Sequence, residues 1–312
     1  MSIIVTGGMG FVGSNIVKKL NSLGYHNVYI IDSPHNNSEK NLEGCTYKDI
    51  IDKDMCLQTI HNGKFCDIGK IDTIFHQGAI TDTTFDNEEE IMNVNHFLSV
   101  GIFDYCMQHN TRMIYASSAA VYGEGKNGFE PDVDCEDPLN LYAQSKLRFD
   151  NYFRRNYDFD SGVQIVGLRY FNVYGPGEEH KKGMASPIYQ FTKQALEDGE
   201  IRAFEGSENF RRDFVHVDDI VKMNMFFMRK SDSFGIFNCG TGETSTFLDA
   251  AKVVADVTGA EIQTIPFPEK LKGKYQSHTK ADITGLKKDG YFSTPRNFKE
   301  AAKEYCMQLS GK

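Results

Sequence analysis

The run Gly7-Gly8-Met9-Gly10-Phe11-Val12-Gly13 limits this chain more than any other feature. Ile3-Ile4-Val5 before it reads as a strand, and Val12, Ile16, Val17, Leu20 and Leu23 behind it recur at helical spacing. Glycines spaced G-x-x-G-x-x-G between a strand and an amphipathic helix permit a tight turn. They also let a pyrophosphate approach the unpaired N–H groups of a helix N-terminus. A second strand, Val28-Tyr29-Ile30-Ile31, ends at Asp32, about 19 residues after Gly13. A carboxylate at that place binds the ribose hydroxyls of an adenine dinucleotide. It repels a 2′-phosphate unless a cation such as Lys40 or Lys53 compensates.

The rest of the first half repeats this alternation. Thr73–Phe75, Met113–Tyr115 and Gln164–Leu168 read as strands, with helical stretches near 88–109 and 142–156 between them. The expected fold is α/β, a Rossmann-type doubly wound parallel sheet with a smaller α/β substrate-binding lobe. Residues 1–175 are assigned to the dinucleotide-binding domain, with later segments returning to it. Residues 176–312 are assigned mainly to the lobe. In this part Ser186–Asp198, Phe247–Val257 and Asn297–Gln308 look helical, and Ile201–Phe204, Phe214–His216 and Ile236–Cys239 look like short strands.

A length of 312 residues leaves ample room for a core. The net charge of −9 argues against general nucleic-acid binding, which needs a basic footprint. The deficit is uneven. Residues 1–175 carry 14 basic and 23 acidic side chains, and residues 176–312 carry 20 of each. The balanced part holds Lys181, Lys182, Arg211, Arg212, Lys270, Lys272 and Lys274, a candidate positive site for an anionic ligand. No apolar run reaches the roughly 18–20 residues of a membrane span. The chain enters a strand at once, so no signal peptide is expected. Seven cysteines without a C-x-x-C pair read as reduced thiols of a cytoplasmic protein rather than a disulfide frame or metal site.

A second constellation is Ser117-Ser118, Tyr142 and Lys146. Tyr142 and Lys146 are four apart, on one helix face. A nearby ammonium lowers a phenol's pKa and makes it a better proton carrier near neutral pH. A serine hydroxyl can hold the reacting oxygen. Y-x-x-x-K alone means little, but behind a dinucleotide turn and a serine-ended strand it points to hydride-transfer chemistry.

Together, Gly7–Gly13, Ser118 and Tyr142/Lys146 resemble an extended short-chain dehydrogenase/reductase acting on a nucleotide sugar. The segments 168–176 and 212–219 resemble two later motifs of that superfamily. The segments 180–186, 205–213 and 266–276 closely resemble the ADP-glyceromanno-heptose 6-epimerases, and the similarity runs almost end to end. The resemblance implies inversion at C6 of ADP-D-glycero-D-manno-heptose by transient oxidation and re-reduction with bound nicotinamide, for lipopolysaccharide inner-core synthesis. It implies NADP, where Asp32 alone favours NAD, and a homo-oligomer, a pentamer being one form.

Roles follow position by position from the resemblance. Tyr142 and Lys181 are the two proton carriers. Ser118 holds the reacting oxygen, and Lys146 the nicotinamide ribose. The family order His-Lys-Gly-x-Met-Ala-Ser stands here as His180-Lys-Lys-Gly-Met-Ala-Ser. Lys181 is favoured over Lys182 as the inward lysine. Gly7, Gly10, Phe11, Val12, Gly13, Asp32, Ser33, Lys40, Lys53, Gln77, Gly78, Ala79, Ile80, Thr81, Val94, Lys146, Val173 and Lys181 match cofactor positions. Ser118, Asn172, Gly183, Gln190, Phe204, Glu205, Gly206, Ser207, Arg212 and Tyr275 match substrate positions. Arg212 suits a diphosphate by its guanidinium fork, or else pairs with Asp213 or Asp218. His76 reads as strand packing, Met223–Met228 as core, and Glu88-Glu89-Glu90 as a helix N-terminus. A UDP-hexose 4-epimerase shares the cofactor lobe but fits the His-Lys loop poorly. A 4,6-dehydratase usually has an acid pair after the active-site Ser or Thr, where this chain has Ala119-Ala120. A nucleotide sensor on the same fold has no need of a tuned phenol.

Overall fold

The computed structural model describes residues 1–33, 37–60, 68–268 and 276–312. The strands are β1 (Ile3–Thr6), β2 (Val28–Asp32), β3 (Asp49–Asp52), β4 (Thr73–His76), β5 (Arg112–Ser118), β6 (Ile165–Tyr170), β7 (Asn172–Tyr174), β8 (Glu200–Phe204), β9 (Arg211–Arg212), β10 (Phe214–His216), β11 (Gly235–Cys239), β12 (Ser245–Thr246) and β13 (Glu261–Ile265). The helices are α1 (Phe11–Ser22), α2 (Lys53–Ile60), α3 (Glu88–Met92), α4 (Leu98–His109), α5 (Leu141–Asn156), α6 (Pro187–Asp198), α7 (Val217–Arg229), α8 (Phe247–Thr258), α9 (Thr284–Lys288) and α10 (Phe298–Ser310).

Seven strands form one sheet in the order β11-β6-β5-β4-β1-β2-β3. The pairs from β3 through β2, β1 and β4 to β5 are parallel. Ile3, Ile4 and Val5 are wholly buried, as expected of a strand covered on both faces. The register aligns Thr6 with Ile31 and with His76, His76 with Tyr115, and Asp32 with Asp52. Gly7, Ser33, Lys53, Gln77 and the end of β5 therefore leave the sheet along one edge. The winding reverses beside β1, where open α/β sheets hold their ligands.

The chain divides into two compact units that interleave in sequence. The first comprises Met1–Val121, Asn140–Arg169 and Val221–Phe237; the second comprises Tyr122–Leu139, Tyr170–Ile220 and Asn238–Lys312. Met223, Met225, Phe227 and Met228 of α7 are buried, as their composition suggests. In the second unit β8 pairs with β13 and β7 with β10, both in parallel. Helices α6, α8 and α10 supply a core that includes Ile188, Phe191, Val254, Ala302 and Tyr305. Helix α8 opens on a capping box between Thr246 and Asp249, and α6 opens on Ser186 with Pro187 in its first turn.

Several elements differ from the sequence expectation. The helix expected over 88–109 is broken by a π-helical turn at Asn93–Phe97. Strand β3 and helix α2, and likewise β13, have no clear sequence signal. Asp49-Ile50-Ile51-Asp52 is a short edge strand flanked by acids, and β13 is an edge partner with exposed Glu261, Gln263 and Thr264. The Glu88–Glu90 run forms the first turn of α3, whose cap Asn87 accepts from the Glu90 N–H. The described cysteines are free thiols, and Cys66 lies outside the described residues. Among the described residues no helix is long and apolar enough to cross a membrane.

One buried hydrogen-bond chain crosses this framework. The Gly78 N–H donates to Thr6 Oγ1 (3.0 Å), which lies 2.7 Å from His76 Nδ1, and His76 Nε2 lies 2.7 Å from Ser99 Oγ. Ser99 spends its hydroxyl proton on the Asn95 carbonyl (2.7 Å). Nε2 must therefore carry the ring hydrogen, and Nδ1 must accept from Thr6. Burial first, then the charge of Lys146, depresses the His76 pKa from 6.5 to about 3. The folded state keeps this imidazole neutral, whereas the unfolded state takes up a proton below pH 6.5. Stability is thus lost as pH falls from 6.5 towards 3, at up to about 1.4 kcal/mol per pH unit. Urea unfolding of wild type and His76→Gln across this range tests the assignment. Wild type is expected to lose stability with acid more steeply, and parallel curves would refute the linkage.

Candidate active site

The glycine turn is built so that only backbone faces outward. Gly7 adopts φ +63°, and a Cβ there would stand 2.6 Å from the Gly78 Cα. A Cβ on Gly13 would stand 2.1 Å from the Gly7 carbonyl oxygen. The first position is closed to L side chains by its dihedral and the second by space. Helix α1 starts at Gly10 with no side-chain cap and no acid in its first turn. Its N-terminal amides are thus left to an anion. Asp32 Oδ2 accepts from the Met9 N–H and Oδ1 from the Ser33 N–H, both at 2.8 Å. The carboxylate is pinned against the turn where ribose hydroxyls are expected. This cradle fits a nicotinamide adenine dinucleotide. Lys53 pairs with Asp54 at 2.8 Å, and Lys40 is exposed beyond the turn.

The loop Gln77–Thr81 leaves β4 against this turn. Asn95, in the π-helical turn, holds it through both amide atoms. Ile80 N–H donates to Oδ1 (2.8 Å), and Nδ2 donates to Ile80 O (2.9 Å) and to Ser145 Oγ (2.9 Å). Ser145 in turn donates to the Tyr142 carbonyl (2.7 Å). Asn95 thereby joins the cofactor loop to the helix that carries Tyr142 and Lys146. Sequence reading passed over it. The signal was an Asn among Val94, Phe97 and Leu98, where burial costs stability unless the amide is used. Val94 lies half-buried beside it.

Helix α5 carries Tyr142, Lys146 and Asp150 at successive i, i+4 positions. The Tyr142 phenol is hydrogen-bonded to the Ser118 side chain. Lys146 Nζ donates to the Ala116 carbonyl (2.9 Å). Asp150 accepts from Tyr115 (3.0 Å), Ser117 (2.9 Å) and the Arg169 Nε and Nη2 (3.0 and 2.8 Å). Ser118, Tyr142 and Lys146 are thus brought together as expected. The electrostatics differ from expectation. Burial dominates the Tyr142 phenol and raises its pKa, while the bond to Ser118 pulls it down. The Lys146 ammonium points at a carbonyl. Burial lowers its own pKa to about 8 against the opposing pull of Asp150.

The second unit holds the other expected residues. Lys181 is half-buried in the loop before α6, and burial lowers its pKa while Glu178 raises it. Lys182 is exposed at φ +50°, ψ −121°, a backbone region suited to glycine, whereas Gly183 makes no use of its freedom. The two residues thus stand in the reverse of the order that the backbone favours. Gln190 Nε2 bonds the Lys182 carbonyl. Asn172 accepts from Thr279 Oγ1 (3.1 Å), and Val173 is half-buried beside it on β7. Phe204, Glu205, Gly206 and Ser207 form the turn after β8, with Ser207 N–H donating to Phe204 O (3.0 Å). Arg212 lies over the Phe247 ring at 5.4 Å and donates to the Arg211 and Gln276 carbonyls. Asp213 is taken up by Thr241, Gly242 and Ala281, and Asp218 pairs with Arg296 and His216. Tyr275 and Lys270, Lys272 and Lys274 lie outside the described residues.

Strain at Lys182 has a measurable consequence. Lys182→Gly is expected to stabilise the protein by about 1 kcal/mol, and Gly183→Ala to be nearly neutral. Thermal unfolding of the two variants checks this, and a destabilised Lys182→Gly would contradict it.

Comparison with known proteins identifies the family. The profile of the NAD dependent epimerase/dehydratase family matches residues 3–240. The ADP-L-glycero-D-manno-heptose-6-epimerase of Brachyspira hyodysenteriae is 45% identical over 311 residues, covering 98% of this chain and 97% of that protein. The crystal structure of the Helicobacter pylori ADP-L-glycero-D-manno-heptose-6-epimerase superposes with a TM-score of 0.84 at 29% identity, over 100% of this chain and 96% of that one. The Thermus thermophilus UDP-glucose 4-epimerase, solved with NAD, gives 0.78 at 25% identity over 100% and 99%. The chain therefore belongs to the NAD dependent epimerase/dehydratase family, on the branch that holds the ADP-L-glycero-D-manno-heptose-6-epimerases.

Proposed function

We propose that this chain is an isomerase that inverts C6 of ADP-D-glycero-D-manno-heptose, giving the L-glycero epimer used for lipopolysaccharide inner core. The observation that carries this reading is 45% identity over nearly the whole chain, joined to an assembled Ser118, Tyr142 and Lys146 beside a dinucleotide cradle. A nicotinamide dinucleotide, held at the Gly7–Gly13 turn and Asp32, would supply reversible hydride chemistry at C6. The residues of the chain handle the proton and the positioning. Ser118 and Tyr142 meet the C6 oxygen, and Tyr142 exchanges its proton for one stereoisomer. Lys181 does so for the other, its ammonium made more acidic by burial. Lys146 orients the nicotinamide ribose. Asn172, Gly183, Gln190, Phe204–Ser207, Arg212 and Tyr275 are assigned to the sugar nucleotide, with Arg212 directed to the diphosphate.

The dinucleotide is proposed to be NADP, with Lys40 and Lys53 at the 2′-phosphate. Lys53 must then exchange Asp54 for the phosphate. Asp32, already holding the turn, favours NAD. The protein is proposed to act in the cytoplasm as a homo-oligomer, a pentamer being one form.

Incubation with ADP-D-glycero-D-manno-heptose, followed by NMR of the C6 centre, is expected to give a mixture of epimers. Inversion of a UDP-hexose in its place would assign the chain to the 4-epimerases, and turnover of neither would favour a nucleotide sensor. Tyr142→Phe and Lys181→Ala are each expected to lower kcat by about 10²–10⁴-fold in folded protein. Loss with Lys182→Ala instead would exchange the lysines. Mass analysis of nucleotide released on denaturation separates NADP from NAD.

A further inference from the structure

Glu178 is a wholly buried carboxylate that the chemistry above does not use. Its oxygens are heavily engaged. Oε1 accepts from the Gly175 N–H (3.2 Å) and the Ser186 hydroxyl (2.7 Å), and Oε2 accepts from the Ser186 N–H (2.5 Å). Gly175 opens the loop that contains Lys181, and Ser186 closes it as the cap of α6. The Glu178 backbone carbonyl accepts the Lys181 N–H at 2.9 Å. One side chain thus ties together the two ends of a segment bent through a strained Lys182, whose carbonyl is held by the Ala185 N–H (3.1 Å) and Gln190. Backbone strain persists only where the surroundings enforce it. Burying a carboxylate is costly, and it is retained where its charge and hydrogen bonds are both used.

We propose that Glu178 is the positioning residue for Lys181: it clamps the 175–186 loop shut and holds its negative charge beside the lysine ammonium. This rests on Lys181 being the second proton carrier. The clamp fixes where Lys181 stands, and the charge opposes the loss of its proton on burial. Lys181 on the loop and Tyr305 from α10 interact with Glu178 electrostatically, and Glu179 and Tyr189 act in turn on Tyr305. Of these, Lys181 is the one cation.

The test uses the enzyme with its bound cofactor and ADP-D-glycero-D-manno-heptose. In Glu178→Gln, kcat is expected to fall about 10- to 100-fold, with KM within about threefold. The limb of the kcat–pH profile that Lys181→Ala removes is expected to move down by about one pH unit. NMR of ¹³Cε-labelled lysines, with Lys181 assigned from Lys181→Ala, should move by the same amount. Glu178→Asp, which keeps the charge, should restore the pH limb even where kcat stays low. Lowered activity with an unmoved limb and an unmoved Lys181 titration would overturn the proposal, as would wild-type kcat in Glu178→Gln. If Glu178→Gln does not fold, Ser186→Ala withdraws one donor and leaves the charge. It must then lower kcat without moving the Lys181 titration, and wild-type kcat would overturn the clamp. Full turnover in Lys181→Ala would instead remove the proton-carrier reading, leaving the clamp as loop architecture alone.

Discussion

The buried pair between Asp150 and Arg169 is the interaction on which the arrangement of Ser118, Tyr142 and Lys146 depends. Both side chains are wholly buried, and the guanidinium grips one carboxylate oxygen through two N–H groups. Tyr115 and Ser117, two apart on β5 and so on one face, complete the shell of Asp150. Helix α5 is thereby fixed to β5 and β6 by charge and hydrogen bonds as well as by apolar packing. Such a pair adds little net stability over a hydrophobic replacement, but losing one partner costs about 3–5 kcal/mol. Its value is in register. With Asp150 seated, Lys146 one turn earlier reaches the Ala116 carbonyl, and Tyr142 another turn earlier reaches Ser118.

The parts of the site that sequence made legible are those where spacing is itself the chemistry. The glycine turn, Asp32 and the Tyr142/Lys146 pair are local patterns, and the structure sets Asp32 against the turn and Tyr142 beside Ser118. What stayed hidden depends on contacts between distant segments. Asn95 acts through Ile80 and Ser145, and Asp150 through β5 and β6; neither forms a motif. The π-helical turn at Asn93–Phe97 was invisible because a single wide turn leaves apolar periodicity almost intact. Strands β3 and β13 were missed because a short edge strand does not need an apolar run. The expected tuning of Tyr142 by Lys146 was a statement about distance and direction, which i, i+4 spacing does not settle. In this arrangement burial raises the phenol's pKa and the bond to Ser118 opposes it.

The second unit shows how a loop can hold a backbone shape that the residue on its bend does not favour. The bend at position 182 needs a left-handed φ, and glycine is the residue that adopts it without strain. This chain places lysine there and glycine one residue later, yet the bend persists. Glu178, Ser186 and Gln190 supply the restraints that glycine at 182 would make less necessary. The cations of this unit follow a similar logic. Arg212 is buried against Phe247 and bonded to the Arg211 and Gln276 carbonyls, while Asp213 is bonded to Thr241, Gly242 and Ala281.

The His76 chain has one more consequence. It begins at the amide hydrogen of Gly78 and ends at the carbonyl of Asn95, and every hydroxyl and ring hydrogen between them points the same way. Neither terminus can take up or release a proton at ordinary pH. The chain is therefore an insulator in the electrical sense: it carries polarity across the sheet without conducting charge. A proton therefore cannot cross the sheet along this line.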